Sequence, residues 1–417
     1  MKPILPTAAE YHRATSYDRR QLTAHRLDWA HQPRLTKAYP GCPRVPLDRN
    51  PTLPAVDFFS LCRHTAVDND RPAGPVDLKT LSTLLHLTHS ITGRSMHGGQ
   101  PFYYRSVASA GALYPFEIYL AAHRIPGLDA GVYHHNLFDG ELTRLRQRPI
   151  PVDPPVDEAV AATVYITGIF FRSAWKYRSR AYRYVLLDAG HLLENLRLAL
   201  AALTMAHSVH LDFNDARAAG LLGLDPDQEV CLIAVHLHAD PGSAPPPEAV
   251  DSPAPVANRL TAASTVSAKT VVYPEILGIH RAGNTHSSEV VDVDATLHLF
   301  HERPTSWVDL PAPGSASAAD YADVLRRRRS RRNFIPSATA AEDFMTFMNA
   351  LTCGLKASTA VPAVCQRALR TGFLAGSAMP LEPGFYLLGQ DGHRLGQVFG
   401  GDFMDPMAAA CLNQMWL

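Results

Sequence analysis

The sequence predicts mixed helices and strands in two globular regions, on three observations. Its 417 residues are too many for one ordinary hydrophobic core. Leucines at helical spacing alternate along the chain with short runs rich in aromatic and β-branched residues. A proline-dense stretch from Pro241 to Pro255 reads as an extended, semi-rigid spacer between the two regions.

Composition narrows the function classes. Hydrophobic residues make up 46% and charged residues 19%, as in a folded globular protein. Basic and acidic side chains balance at 39 each, which argues against a chain built to wrap nucleic acid. The six cysteines (Cys42, Cys62, Cys231, Cys353, Cys365, Cys411) form no Cys-x-x-Cys pair. They read as buried or free thiols in a reducing compartment, with no disulfide framework and no metal site. The N-terminus lacks the apolar core of a signal peptide. The most apolar long stretch, Val185 to Met205, is interrupted by Asp188, His191, Glu194, Asn195 and Arg197, so it is a poor membrane span. The expectation is a cytoplasmic protein with neither a membrane nor a nucleic-acid partner.

Four segments are expected: an N-terminal wrapping segment (1–55), a first domain (56–240), a Pro-rich linker and connecting segment (241–319) and a smaller, partial second domain (320–417). In the first domain, Asp77 to Leu87 has helical leucine spacing with Asp77 as N-cap. Phe116–Ala122 and Gly131–His135 read as strands. Asp157 to Ile169 reads as helix passing into strand, with an ambiguous period. Ala181 to Met205 is the clearest helix, apolar nearly all round and so buried on most sides. Glu229–Leu237 reads as a buried strand. In the second domain a helix from about Ala341 to Leu351 and a turn and strand over Glu382–Leu388 are expected.

Three constellations stand out. The run Arg105-Ser106-Val107-Ala108-Ser109-Ala110-Gly111-Ala112-Leu113-Tyr114-Pro115 places small and hydroxyl side chains just before a strand. Its backbone N–H groups are then open to a flat ligand or a phosphate, although an ordinary tight connection fits equally well. The arginine run Arg326 to Arg332, with Ser330 inside it, is either a phosphate site or a solvated charge run. Lys176 and Tyr177, just before the apolar helix, are either a base and acid at a pocket mouth or, more commonly, a basic helix start with snorkelling side chains. Within that helix Asp188, His191 and Asn195 share one face, which reads as a satisfied network more than as catalytic machinery. His134-His135 and the pair His236 and His238 read as strand histidines without a metal. No dinucleotide fingerprint, P-loop or nucleophile elbow is present.

Ser109 to Pro115 followed by Phe116-Glu117-Ile118-Tyr119-Leu120 resembles the signature of the SagB/ThcOx-type branch of the nitroreductase superfamily. So do Lys176-Tyr177 with Arg180-Ala181-Tyr182-Arg183-Tyr184, Asp188 with Gly190-His191, Leu221 to Asp225, and Leu27 to Pro33. Arg328-Arg329-Ser330-Arg331-Arg332-Asn333-Phe334 resembles the entry motif of a nitroreductase domain. The resemblance implies an α+β fold with a central mixed or antiparallel sheet flanked by helices. It further implies a tandem pseudo-dimer with a partial second domain, FMN between the domains, and a further homodimer as an alternative assembly. The implied cofactor residues are Arg328, Arg329, Ser330 and Arg332 at the phosphate, with Arg105, Ser106, Ser109, Ala110, Gly111, Ala112 and Leu113 from the first domain. Lys176 and Tyr177 are the implied catalytic pair. The sequence departs from the pattern at Arg63-His64-Thr65, where Arg-Arg-Ser is expected, at Val67, and at Val209 to Phe213, where a Gly-Gly-Phe-like loop is expected. The implied activity is FMN-dependent oxidation of a small-molecule or modified-peptide substrate such as an azoline ring. The alternatives are an NAD(P)H-dependent nitro or quinone reductase and a catalytically degenerate scaffold.

Overall fold

The strand-forming runs between residues 116 and 238 come together in a single antiparallel sheet. In this computed structural model the described residues are 7–18, 25–63, 76–157, 159–239, 258–283, 304–310, 319–331, 337–356, 371–389 and 394–410. They fall into two units, Met1–Pro54 with Asn69–Ser287, and Ala55–Asp68 with Ser288–Leu417. The chain begins with α1 (Ala8–Thr15), β1 (Arg44–Pro46) and α2 (Phe58–Arg63), the last of these in the second unit. Then come α3 (Leu78–Thr88), the hairpin β2 (Ile91–His97) and β3 (Gln100–Arg105), and the strands β4 (Phe116–Ala122), β5 (Gly131–Asn136), β6 (Glu141–Arg146) and β7 (Val160–Ile169). The first unit continues through α4 (Phe170–Tyr177), α5 (Ala181–Ala202), β8 (His207–His210), α6 (Asp215–Leu222), β9 (Glu229–His238), the short α7 (Asn258–Thr261) and α8 (Pro274–Gly283).

The seven-stranded sheet of this unit has the order β1-β6-β5-β4-β7-β9-β8. Its pairings are antiparallel. β7 is buried at every residue, so no alternation marks it in the sequence. This corrects the reading of 157–169: the segment is strand from Val160, and helix begins only at Phe170. α5 packs on β4, β7, β9 and α3. Its approach is close, since a Cβ on Gly168 would stand 2.6 Å from a methyl of Val185. Another cluster joins Tyr39, Tyr119, Tyr165, Phe213, Leu222 and Cys231.

Asp77 caps α3 as expected, accepting from Thr80 N at 2.7 Å. α5 ends at Ala202, and its burial is one-sided over the first half. Val185, Asp188, Ala189 and Leu192 are buried, while Leu186 and Leu187 are 45% and 62% exposed. The expectation of burial on most sides therefore fails at these two leucines, which lie about 100° and 200° round the helix from Val185.

In the second unit, β10 (Ser306–Asp309), α9 (Tyr321–Arg327), α10 (Ala341–Lys356), β11 (Gly372–Ala375), β12 (Gly384–Leu388), β13 (Arg394–Gly400) and α11 (Met404–Ala410) surround an apolar cluster of Phe344, Met348, Tyr386, Leu388 and Leu395. The strand order is β10-β13-β12-β11. Asp57 and Asp320 sit across an isolated antiparallel bridge. Each carboxylate caps the helix that follows it, with Ser60 N on Asp57 and Asp323 N on Asp320. The spacer Pro241–Pro255 lies outside the described residues, as do His64, Thr65, Val67 and Arg332. Among the described residues no helix is long and apolar enough to cross a membrane.

Candidate functional site

The connection into β4 bends sharply and is held from outside. Residues 110–112 make one tight turn, with Gly111 at φ 66°, Ala112 at φ 55° and Tyr114 at φ 44°. Left-handed backbone costs an L-residue roughly 1–2 kcal/mol, so Ala112 and Tyr114 need support. Asp188 of α5 supplies it, accepting from Ser109 Oγ at 2.5 Å and from Ala110 N at 3.1 Å. Ser109 Oγ in turn accepts from Tyr114 N at 2.8 Å. Beneath the turn, the fully buried Arg172 of α4 donates to Tyr114 O at 3.1 Å, Arg34 O at 2.9 Å and Glu117 Oε1 at 2.6 Å. Glu117 also takes His134 Nε2 at 2.8 Å.

Lys176 and Tyr177 finish the same helix α4. The helix stops there because Arg178 turns to φ 52°, ψ −139°. A Cβ on Gly111 would stand 2.8 Å from Tyr177 Oη and 3.1 Å from Lys176 Nζ. The missing side chain thus makes room for both polar ends, and the loop and the Lys-Tyr pair form one site in the first unit. Lys176 Nζ takes no hydrogen bond or ion pair among the described residues and lies 5.4 Å from the centroid of the Tyr177 ring. The Tyr177 ring is 4.2 Å from that of Tyr184. Burial first, then the nearby Tyr184 hydroxyl, pushes the Tyr177 phenol up to about 12. It is therefore neutral and can donate a proton at neutral pH. Burial also raises the Asp188 carboxyl above its ordinary value, against the hydrogen bonds from Ser109 and Ala110.

The remaining loop candidates face inward. Arg105 is buried, with its guanidinium 4.0 Å from the Tyr114 ring and a donor to Leu35 O at 3.3 Å. Burial lowers its pKa to about 10. Ser106 closes the base of the hairpin, accepting from Ser90 N at 3.0 Å and donating its own N–H to Ser90 O at 2.9 Å. Leu113 packs among Phe170, Ala174 and Val185. The polar stripe of α5 divides by role. Asp188 holds the loop, Asn195 Nδ2 donates to Thr88 O at 3.2 Å, and His191 is exposed. Among the described residues no three His, Cys, Asp or Glu side chains converge as a metal site.

The arginine run lies in the second unit. Arg328 is the C-cap of α9, and Arg329 Nη1 donates to Arg326 O and Arg328 O, both at 2.7 Å. Ser330 is exposed.

Sequence reasoning missed the buried polar framework under the loop. Besides Arg172 and Glu117, Lys37 pairs with Glu229, both side chains fully buried. Tyr119 Oη lies 2.6 Å from Lys37 Nζ, and Glu229 accepts from Thr167 Oγ1 at 2.7 Å and Ser264 Oγ at 2.8 Å. A visible signal was present: one carboxylate inside each of two otherwise apolar strand segments, Glu117 and Glu229.

Comparison with known proteins agrees with this geometry. Residues 72–236 match the model of the nitroreductase family. A Methanocaldococcus jannaschii protein named "Putative nitroreductase" is 28% identical over 145 residues, which are 31% of this chain and 66% of that protein. The trifolitoxin-processing protein TfxB of Rhizobium leguminosarum bv. trifolii is 30% identical over 146 residues, 32% of this chain and 39% of that protein. The chain thus spans less than two thirds of the length of either relative. A solved structure from Anabaena variabilis, also described as a nitroreductase of that uncertain kind, matches 98% of this chain and 82% of its own, with a TM-score of 0.68 at 23% identity. The loop, Lys176, Tyr177 and Asp188 all fall within the matched span. Residues 72–236 are therefore a nitroreductase-family domain, and the chain has a nitroreductase-like fold built on an antiparallel sheet flanked by helices.

Proposed function

We propose that this protein is an FMN-dependent oxidoreductase that moves a hydride between its substrate and the flavin N5. The observation that carries this reading is the approach of Gly111 to Lys176 Nζ and Tyr177 Oη within the nitroreductase-family domain. The donor set fits a flavin. Bare backbone at Gly111 admits a flat ring, a cation without an ion pair among the described residues opposes negative charge, and a neutral phenol offers a proton. When bound, FMN supplies two-electron transfer at its ring.

Ser109, Ala110, Gly111, Ala112 and Leu113 would hold the flavin ring, with Arg105 and Ser106 setting the loop's base. Arg328, Arg329, Ser330 and Arg332 are assigned separately to its phosphate, on the charge and geometry that Arg brings to such groups. Lys176 takes the proton released by an oxidised substrate carbon, and Tyr177 orients or relays it. The likeness to a protein named for processing trifolitoxin supports a dehydrogenation on a product being matured, such as a peptide azoline ring of the SagB/ThcOx type. The likeness to the M. jannaschii protein supports a second reading, reduction of nitro compounds or quinones by NAD(P)H.

The test is the visible spectrum of the purified full chain before and after adding FMN. Flavin absorbance that survives desalting supports the reading. Protein that stays colourless after FMN is added overturns it in favour of a non-catalytic scaffold. Rapid reduction of the bound flavin by NADH or NADPH decides for the reductase over the dehydrogenase.

A further inference from the structure

We propose that the cavity at the C-terminal end of α3 binds a small uncharged aromatic molecule bearing one hydroxyl or ring N–H, of which phenol is the simplest. The cavity measures about 180 Å³, and its walls include Leu85, His89, Ile91, His135 and Phe138, with Arg49 also among its residues. All of these belong to the first unit, and none is assigned to the flavin. An apolar cavity of roughly 150 Å³ takes up benzene, so this volume suits one six-membered ring with a small substituent.

Apolar walls alone would make a generic void, and two imidazoles make it selective. His89 is 5% exposed, and its Nε2 has no hydrogen-bond partner among the described residues. Leaving such an atom unpaired costs about 1–3 kcal/mol. His135 is 8% exposed and borders the same cavity. Burial holds both rings neutral. It pushes His89 well below its usual range, with Arg105 adding to the effect, and His135 down to about 3, with His134 adding. A neutral imidazole nitrogen pairs with a hydroxyl or N–H group but offers a carboxylate no counter-charge. Hence the ligand is uncharged.

The walls are set in place beforehand. The His89 ring meets Phe116 edge-on at 5.2 Å. Phe138 contacts Tyr103 at 5.1 Å and the Arg105 guanidinium at 5.3 Å. A ligand entering here therefore pays little for ordering side chains.

The site does not rest on the flavin reading, so the full chain is titrated calorimetrically without added FMN, using phenol, toluene and benzoate. Phenol is expected to bind at least tenfold more tightly than toluene, a difference of about 1.4 kcal/mol, and benzoate to give no heat. His89→Phe keeps the ring but removes the nitrogen, and should bring phenol down to the affinity of toluene. Three outcomes overturn the proposal: phenol no tighter than toluene, benzoate the tightest, or phenol binding unchanged in His89→Phe. The first would mean that water in a neighbouring void of about 20 Å³, which His89 also borders, serves the nitrogen. Should His89→Phe fail to fold, the His89 ring nitrogen resonances of the native protein decide. Phenol must shift Nε2, and an unmoved resonance sinks the proposal.

Discussion

Asp188 binds both the hydroxyl of Ser109 and the amide of Ala110, so one carboxylate from α5 fixes the start of the turn that carries Gly111. Hydrogen bonds to a charged group contribute about 1.5–3 kcal/mol each. Asp188→Ala should therefore loosen this turn while the sheet beneath stays intact. Amide exchange at Tyr114, whose N–H is bound to Ser109 Oγ, should rise by at least about tenfold. Unchanged exchange there would show that the turn stands without the carboxylate.

Gly111→Ala adds a methyl where Tyr177 Oη and Lys176 Nζ already stand, and places an L-residue at φ 66°. The backbone term alone is about 1–2 kcal/mol. The two polar ends are flexible and will swing aside, so the expected loss is mainly in kcat, with the protein still folded by circular dichroism. Wild-type turnover would separate Gly111 from the reacting pair.

Lys176→Ala should leave flavin absorbance intact and slow substrate oxidation by about 10²–10⁴-fold, the usual worth of a positioned proton-transfer group. Turnover equal to that of the native protein removes Lys176 from the mechanism. Tyr177→Phe is the companion variant, since the neutral phenol loses only its hydroxyl.

The Lys37–Glu229 pair is sealed from water. Lys37→Met alone strands a buried carboxylate and should destabilise the first unit by about 3–5 kcal/mol. Adding Glu229→Leu removes the stranded charge, and a large part of the loss should return. A double-mutant cycle by urea unfolding measures this, and simple additivity of the two losses would refute it.

Burial opposes ionisation of Glu117, but Arg172 and then His134 outweigh it and hold the carboxyl well below its ordinary value of 4.5. A depressed folded-state pKa contributes stability above the unfolded value that is lost as pH falls through the folded one. Glu117→Gln leaves the Arg172 cation buried without its carboxylate, so it should cost about 3–5 kcal/mol at neutral pH. That deficit against the native protein should persist through mild acid and shrink only in strong acid. A deficit that closes already near the ordinary carboxylate value would contradict the assignment.

Much of the first unit was legible in the sequence because it follows local rules. Asp77 caps its helix, and Phe116–Ala122 is a strand at both predicted ends. The segment 157–169 was misread because β7 is covered on both faces, which erases the alternation that marks a strand. The small residues of the loop and the Lys-Tyr pair were visible as motifs, but not their meeting. That meeting depends on α4 turning back under the strand start, a long-range contact without local signature. Arg172 and Asp188 looked like helix residues with a charge to satisfy. Their role as anchors of Ser109, Ala110 and Tyr114 exists only once the sheet has formed.

The eight residues of α4 also act as a ruler. Arg172 grips Tyr114 near one end, and Lys176 with Tyr177 stands at the other. The spacing between anchor and reacting pair is therefore set by a single turn of helix. An insertion or deletion of one residue here would rotate the pair about 100° away from the loop, while substitutions that keep the length would not. In lineages that share this architecture, the register of α4 should drift far less than its composition.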